Sequence, residues 1–290
     1  MGSNSIVKEP LAEACELCRG NIVKQTMFEN KLATSFGLRL CFSTKIPIIA
    51  KRAGFSAVLL NLEHTAIGIE TVRDISVACL NVGRITPMVV VPTCEAQWIS
   101  RCLDAGRQAI IVPHVDTVEA AQTCVNTAKY PSLGYRSLTM VQPILQYASR
   151  IPPTMVADVV NDSVLIMPMI ETREGLANVE AIAAVPGLDA LLVGCADLSM
   201  ELGITGQYDM DEFWNAIDKI AEAAKKASVG SRRVFVGLGG MELRPELIEL
   251  FAKRHSNIRF AMSGCDISTL AAGMATQAAA MHEMLTRIRL

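Results

Sequence analysis

Apolar residues along the chain gather in short, nearly continuous runs, separated by longer segments in which they recur every three or four positions. The runs cover residues 37–43, 57–62, 87–91, 109–112, 164–170, 190–194, 234–239 and 258–263. Unbroken runs of this length describe strands buried on both faces, as in parallel sheets, rather than the alternating strands of a sheet with one wet face. The segments 70–82, 95–105, 118–128, 175–185, 210–227 and 244–253 have amphipathic helical spacing. Pro92-Thr93, Asp116-Thr117 and Asp209 are helix-start signals ahead of three of them. This repeated alternation predicts a (β/α)8 TIM barrel, with residues 1–290 forming one domain; an open doubly wound sheet is the alternative. Residues 1–30 predict an amphipathic lead-in helix. Residues 266–290, rich in Ala and Met, predict a last helix that closes the barrel or docks on a neighbouring subunit. Residues 129–153, rich in Pro, Tyr and Arg, predict a functional loop containing a short helix.

Composition narrows the functional classes. Of 290 residues, 51% are hydrophobic and 19% charged, and the mean hydropathy is +0.32, which is unlike a disordered chain. Lys+Arg 27 against Asp+Glu 29 leaves a net charge of −2, so no cationic footprint marks a nucleic-acid or anionic-membrane partner. Aromatics at 5% leave few platforms for stacking bases. No signal-peptide run and no stretch of ~18 apolar residues stands in the sequence, which predicts a soluble, cytoplasmic protein. The nine cysteines are scattered and several lie in apolar runs, the pattern of free thiols in a reducing compartment. Cys15 and Cys18 have CxxC spacing, but no nearby Cys or His supplies a second ligand pair.

In a barrel of this kind, chemistry sits where strands end and loops begin. The positions just past the runs read Asn61-Leu62-Glu63-His64, Pro113-His114, Glu171-Thr172, Gly194-Cys195-Ala196-Asp197 and Gly264-Cys265-Asp266. Glu171 and Asp197 follow consecutive strands and can converge on the mouth. Two hard oxygen donors with open positions suit Mg²⁺ or Mn²⁺; the competing role for an acid such as Asp197 is a helix N-cap. His64 is the natural proton carrier near neutral pH, with Glu63 able to orient its ring or bind a loop amide. A structural His bonded to a carbonyl is the alternative. His114 follows another strand end and is either a second acid or base, or filler. The amides of residues 194–197 open a helix and form a candidate carboxylate cradle. No Gly-rich nucleotide motif is present.

Several segments together resemble the HpcH/HpaI aldolase/citrate lyase family, a group that includes the fungal macrophomate synthase. They include Ala53-Gly54-Phe55, Glu63-His64, Pro87-Met88-Val89, Leu103-Asp104-Ala105-Gly106, Lys129-Tyr130-Pro131, Gly134-Tyr135-Arg136, Ile170-Glu171-Thr172, Gly194 with Ala196-Asp197-Leu198-Ser199, and Gly264 with Asp266. The resemblance implies a (β/α)8 barrel and a homo-oligomer, either a hexamer or a domain-swapped dimer, whose subunits exchange C-terminal helices. It implies that Glu171 and Asp197 hold a divalent cation, Mg²⁺ or Mn²⁺, that chelates a 2-oxo acid. It assigns the substrate carboxylate to Gly194, Cys195 and Ala196, and proton transfer to His64.

The chain departs from the family pattern at several of these positions. Val90 stands where the family has an Arg that contacts the oxo oxygen. Asn61 replaces an Asp, Met169 a Gln, Cys195 a Pro and His114 a Met. Losing a guanidinium aimed at developing charge typically costs about 10²–10³ in rate. Arg39, on the first run where relatives often have Trp, either supplies a relocated positive charge or faces outward and pairs with an acid. The resulting expectation is a metal-dependent carbon–carbon lyase acting on a 2-oxo or 1,3-dicarbonyl acid through an enolate, by aldol, decarboxylation or cyclisation chemistry. Its mouth would be made apolar by Val90, Met169 and Cys195 and would suit specialised metabolism. The alternatives are a catalytically inactive barrel that binds a metabolite, and a metal-independent isomerase using His64 and His114.

Overall fold

The computed structural model describes residues 10–148 and 151–288. Eight parallel strands close into a barrel in sequence order: β1 Ala33–Leu38, β2 Ala57–Asn61, β3 Thr86–Val90, β4 Ala109–Val112, β5 Leu165–Ile170, β6 Ala190–Gly194, β7 Phe235–Gly239 and β8 Ile258–Cys265. Closure is made by β8 against β1, with Ala33 opposite Phe260 and Gly37 opposite Cys265. The open-sheet alternative is thereby excluded. The helices, in chain order, are α1 Pro10–Leu17, α2 Ile22–Phe28, α3 Ile46–Arg52, α4 Ile69–Val82, α5 Ala96–Asp104, α6 Val118–Ala128, α7 Pro153–Ser163, α8 Arg173–Ala184, α9 Cys195–Glu201, α10 Asp211–Ala227, α11 Pro245–Arg254 and α12 Asp266–Ile288.

Alternation along each strand divides the core into two shells. Ala57 and Leu59, Met88 and Val90, Leu165, Met167 and Met169, and Ala190 and Leu192 fill the barrel interior. The residues between them, such as Val58, Leu60, Val89, Ile166 and Val193, pack outward under the helices. Because both faces are covered, the strands read as unbroken apolar runs. The same alternation points the next inward positions, at the strand ends, into the mouth.

Two expectations need revision. The first strand is residues 33–38 rather than 37–43, because Thr34 and Ser35, though polar, pair with β8; Arg39 therefore lies one residue past the strand. The lead-in is two short helices, α1 and α2, rather than one. The break falls at Gly20-Asn21, where the Asn21 side chain caps α2 by accepting from Lys24 N–H and donates to the carbonyls of Gln108 and Ser163. Val23 and Met27 of α2 then plug the lower end of the barrel; residues 1–9 lie outside the described chain. Among the described residues the loop 129–153 holds the expected short helix as a 3-10 turn, Pro143–Leu145, and it leads into α7, which the apolar spacing does not mark.

The last helix does not close the barrel within this chain. Asp266 at its start is buried, but Ile267, Leu270, Met274, Met281, Leu285 and Ile288 are exposed. Beside its root lies an open apolar cavity of about 570 Å³, whose walls include Phe36, Ile46, Ile49, Phe55 and Leu243. Among the described residues no helix is long and apolar enough to cross a membrane.

Candidate active site

The mouth of the barrel holds a cavity of about 230 Å³ lined by Arg39, Asn61, Glu63, His64, Val90, Met169, Glu171, Leu192, Gly194, Cys195, Ala196, Asp197, Gly239, Gly240 and Met262. All of the candidates except His114 line it. Its floor is apolar, with Val90, Met169 and Leu192 rising from the interior shell and Met262 packed against them.

Glu171 is the next inward position after Leu165, Met167 and Met169 on β5, and it is 2% exposed. Its Oε1 accepts the His114 backbone N–H at 2.8 Å and lies 3.3 Å from His114 Nδ1. That N–H is aimed by a left-handed backbone at His114, φ 51°, a conformation uncommon for a non-glycine residue. Oε2 lies on the side of Gly194: a Cβ there would stand 2.5 Å from it. The hydrogen at position 194 is what leaves room for the carboxylate. Burial pushes the Glu171 carboxyl above its usual range; the His114 contacts oppose this, and the charges of Asp197 and Glu63 add to it.

Asp197 is exposed in the first turn of α9. The helix cap is Gly194, with no side-chain bond, so Asp197 is not the N-cap and its carboxylate is free to face the mouth. The backbone of residues 195–197 opens α9 as expected. Cys195 contributes no thiol to the mouth, because its Sγ turns back to the Val193 carbonyl at 3.6 Å inside the outer shell. Burial drives its pKa up to about 12, which removes it as a nucleophile.

Glu63 stands between the two imidazoles. Its Oε2 is 3.6 Å from His64 Nε2 and its Oε1 is 3.6 Å from His114 Nε2. His64 is held at its backbone by Asn61, whose Oδ1 accepts the His64 N–H at 2.9 Å; Asn61 thus orients the His64 turn. His114 does not line the cavity and meets it only through its contacts with Glu171 and Glu63.

Arg39 lines both this cavity and a smaller adjoining one that it shares with Gly37, Glu242 and Gly264. Ala33 faces the interior and Leu38 faces outward, so the period-two count carries Ser35, Gly37 and then Arg39 inward. Arg39 thus stands at the mouth, and among the described residues its side chain pairs with no acid. Leu192, Met262 and the Gly239-Gly240 backbone complete the wall; the same inward count marks Leu192 on β6 and Met262 on β8 without any chemical motif.

The model of the family described as HpcH/HpaI aldolase/citrate lyase matches residues 42–236, which spans Asn61, Glu63, His64, Val90, His114, Met169, Glu171, Gly194 and Asp197 but not Arg39, Gly239, Gly240 or Met262. The chain belongs to that family. It therefore sits among carbon–carbon lyases with a (β/α)8 barrel. A 4-hydroxy-4-methyl-2-oxoglutarate aldolase of Chaetomium globosum is 34% identical over 263 residues, covering 90% of this chain and 94% of that one. Another protein of that name, from Hapsidospora irregularis, is 34% identical, covering 87% of this chain and 92% of its own. Among solved structures, an HpcH/HpaI aldolase from Desulfitobacterium hafniense superposes with a TM-score of 0.80 at 25% identity, covering 90% and 96% of the two chains. Macrophomate synthase does so with a TM-score of 0.72 at 25% identity, covering 93% of each.

Proposed function

We propose that this HpcH/HpaI family member is a Mg²⁺- or Mn²⁺-dependent lyase that makes or breaks a carbon–carbon bond next to a 2-oxo acid. The observation that carries the reading is the Glu171–Gly194–Asp197 arrangement. A buried carboxylate with its pKa raised, a second carboxylate on the following βα unit whose charge adds to that rise, and a glycine whose missing Cβ clears the space beside Glu171 give one cavity two hard oxygen donors. Such a donor set fits a hard dication that keeps open positions. Two carboxylates are the extent of the set: among the described residues no group of three or more His, Cys, Asp or Glu is arranged to hold a metal.

A dication bound there would supply positive charge for the enolate oxygen as the bond breaks. The chain's own groups do the rest. His64 takes the proton of the substrate's hydroxyl at Nε2, the adjacent C–C bond cleaves with its electron pair entering the enolate, and the same proton is returned to carbon. Glu63, 3.6 Å from that nitrogen, steadies the imidazolium between the two transfers. Val90, Met169 and Met262 exclude water from the carbon skeleton, and the α9 amides receive the 1-carboxylate. The names of the two 34%-identical relatives support a 2-oxo acid substrate.

We also infer a cytoplasmic, one-domain homo-oligomer. The exposed apolar face of α12 and the open apolar cavity at its root are complementary, as expected for subunits that exchange last helices. The nine free thiols suit a reducing compartment.

The test is oxaloacetate decarboxylation with added Mn²⁺, alongside Mn²⁺ titration by calorimetry. Turnover abolished by a chelator, with Mn²⁺ binding lost in Glu171→Gln and Asp197→Asn, supports the lyase. Activity that survives both substitutions points to acid–base chemistry by His64 and His114 alone.

A further inference from the structure

Among the described residues, two of the nine free thiols meet sulfur to sulfur. Cys94 lies in the bend between β3 and α5, and Cys124 lies on α6. Cys94 Sγ is 3.5 Å from Cys124 Sγ and donates to the Ala120 carbonyl, one turn earlier on α6, at 3.6 Å. Neither residue lines the barrel mouth, so the lyase chemistry has no use for this contact. Cys18, Cys195 and Cys265 instead meet oxygen, at Val159, Val193 and Ser268.

The two thiols are unequal. Cys124 is 0% exposed and packed in the outer shell under the helices, whereas Cys94 is half-buried and open on one side to a small solute. Contact with the Cys124 thiol holds Cys94 below the usual thiol range, against the opposing effect of burial. The same contact, together with burial, raises Cys124 well above that range. A reachable sulfur that ionises more readily, backed by a buried thiol, has the layout of a sensor cysteine and its resolving partner. The geometry also permits a bond between them. A disulfide spans about 2.05 Å, so the sulfurs need to close by about 1.5 Å. Residues 92–94 form a bend outside any helix or strand, so the loop supplies this movement while α6 keeps Cys124 in place.

We propose that Cys94 and Cys124 are a peroxide-sensitive dithiol that closes into a reversible disulfide, with Cys94 as the attacking sulfur and Cys124 as the resolving one. In the first step the Cys94 thiolate attacks an oxygen of a hydroperoxide. The O–O bond breaks, the other oxygen leaves as water or an alcohol after taking a proton, and Cys94 becomes a sulfenic acid. In the second step Cys124 Sγ attacks the Cys94 sulfur, the S–O bond breaks, and the hydroxyl leaves as water with the Cys124 proton. Two thiols are oxidised and one hydroperoxide is reduced. The bond ties the loop after β3 to α6, the helix of the next βα unit, and it spares Cys94 the irreversible sulfinic state.

The experiment treats the reduced, full-length protein with a small molar excess of hydrogen peroxide, alkylates the remaining thiols and maps the peptides by mass spectrometry. The free-thiol count should fall by two, with one intrachain disulfide joining the Cys94 and Cys124 peptides, and dithiothreitol should restore both thiols. In Cys124→Ala, Cys94 should stop at the sulfenic acid and be captured by a dimedone trap. In Cys94→Ser, Cys124 should stay reduced at the same dose. The wild-type map requires no substitution and decides the matter even where a variant fails to fold. A first disulfide between any other pair, Cys94 and Cys124 both still free at a dose that oxidises the exposed Cys15, or Cys94 passing to the sulfinic acid in the wild type overturns the proposal. Oxidation of Cys124 at the wild-type rate in Cys94→Ser overturns it as well.

Discussion

Alanine at position 194 would add one methyl group to the barrel mouth, and its consequence follows from three distances. An ideal Cβ there lies 2.5 Å from Glu171 Oε2, 2.8 Å from Glu171 Cβ and 3.0 Å from Met169 Sδ. The Gly194 backbone has φ −78°, which alanine adopts without strain, so the cost is steric alone. Glu171 cannot simply swing away: its Oε1 is held by the His114 N–H and its stem is buried in the mouth wall. Overpacking at such a site costs about 1–3 kcal/mol, offset by about 0.4–1 kcal/mol from the stiffer unfolded chain. The net loss, between about 0 and 2.6 kcal/mol, corresponds to a fall in Tm of at most roughly 10 °C. The larger effect is on the cation. Displacing one of two carboxylates should weaken Mn²⁺ binding at least as much as losing a group that orients a ligand, about 10–100-fold. Calorimetric Mn²⁺ titration and a thermal melt of the metal-free protein read the two effects separately. Gly273→Ala, at a position where a Cβ meets nothing within 4 Å, is the control and should leave Mn²⁺ affinity unchanged. Wild-type Mn²⁺ affinity in Gly194→Ala would refute the assignment of Glu171 to the cation site.

Further outcomes follow from the same geometry. Because burial and the neighbouring acids raise the folded-state pKa of Glu171, its stabilising contribution without metal is complete below the ordinary glutamate range and is lost as pH rises through the raised value. Glu171→Gln should therefore melt above the wild type in metal-free buffer at pH 8, with the difference shrinking toward pH 4.5, and should gain nothing from added Mn²⁺. His64→Ala should reduce retro-aldol turnover of a 4-hydroxy-2-oxo acid, whose hydroxyl proton must be removed, by about 10²–10⁴ while Mn²⁺ affinity stays within about twofold; an equal loss of metal would make His64 part of the cation site instead. Leu270→Glu combined with Met274→Glu, both on the exposed face of α12, removes apolar burial worth about 1.5–3 kcal/mol per side chain from the inferred subunit contact. Sedimentation should then show smaller assemblies, and an unchanged sedimentation coefficient would exclude that face from the interface.

The sequence by itself determined most of the barrel. Apolar runs at 57–62, 109–112, 190–194 and 234–239 mark strands whose bounds agree within a residue with β2, β4, β6 and β7, because covering both faces leaves no polar position to interrupt them. It also placed Glu171 and Asp197 past consecutive strands, since strand ends are local features. What it could not place was direction and company. The first strand was displaced because Thr34 and Ser35 are apolar in neither name nor pattern, yet they are paired by β8 from more than two hundred residues away. The place of Arg39 at the mouth and the bonds of the buried Asp266 carboxylate to the Arg39, Leu40 and Cys41 amides across that same seam depend on barrel closure. Closure brings the first and last strands together, and no local periodicity encodes a contact between the two ends of a chain. The role of Gly194 belongs to the same class: its residue type is plain in the sequence, but the carboxylate that needs its missing side chain arrives from the neighbouring strand.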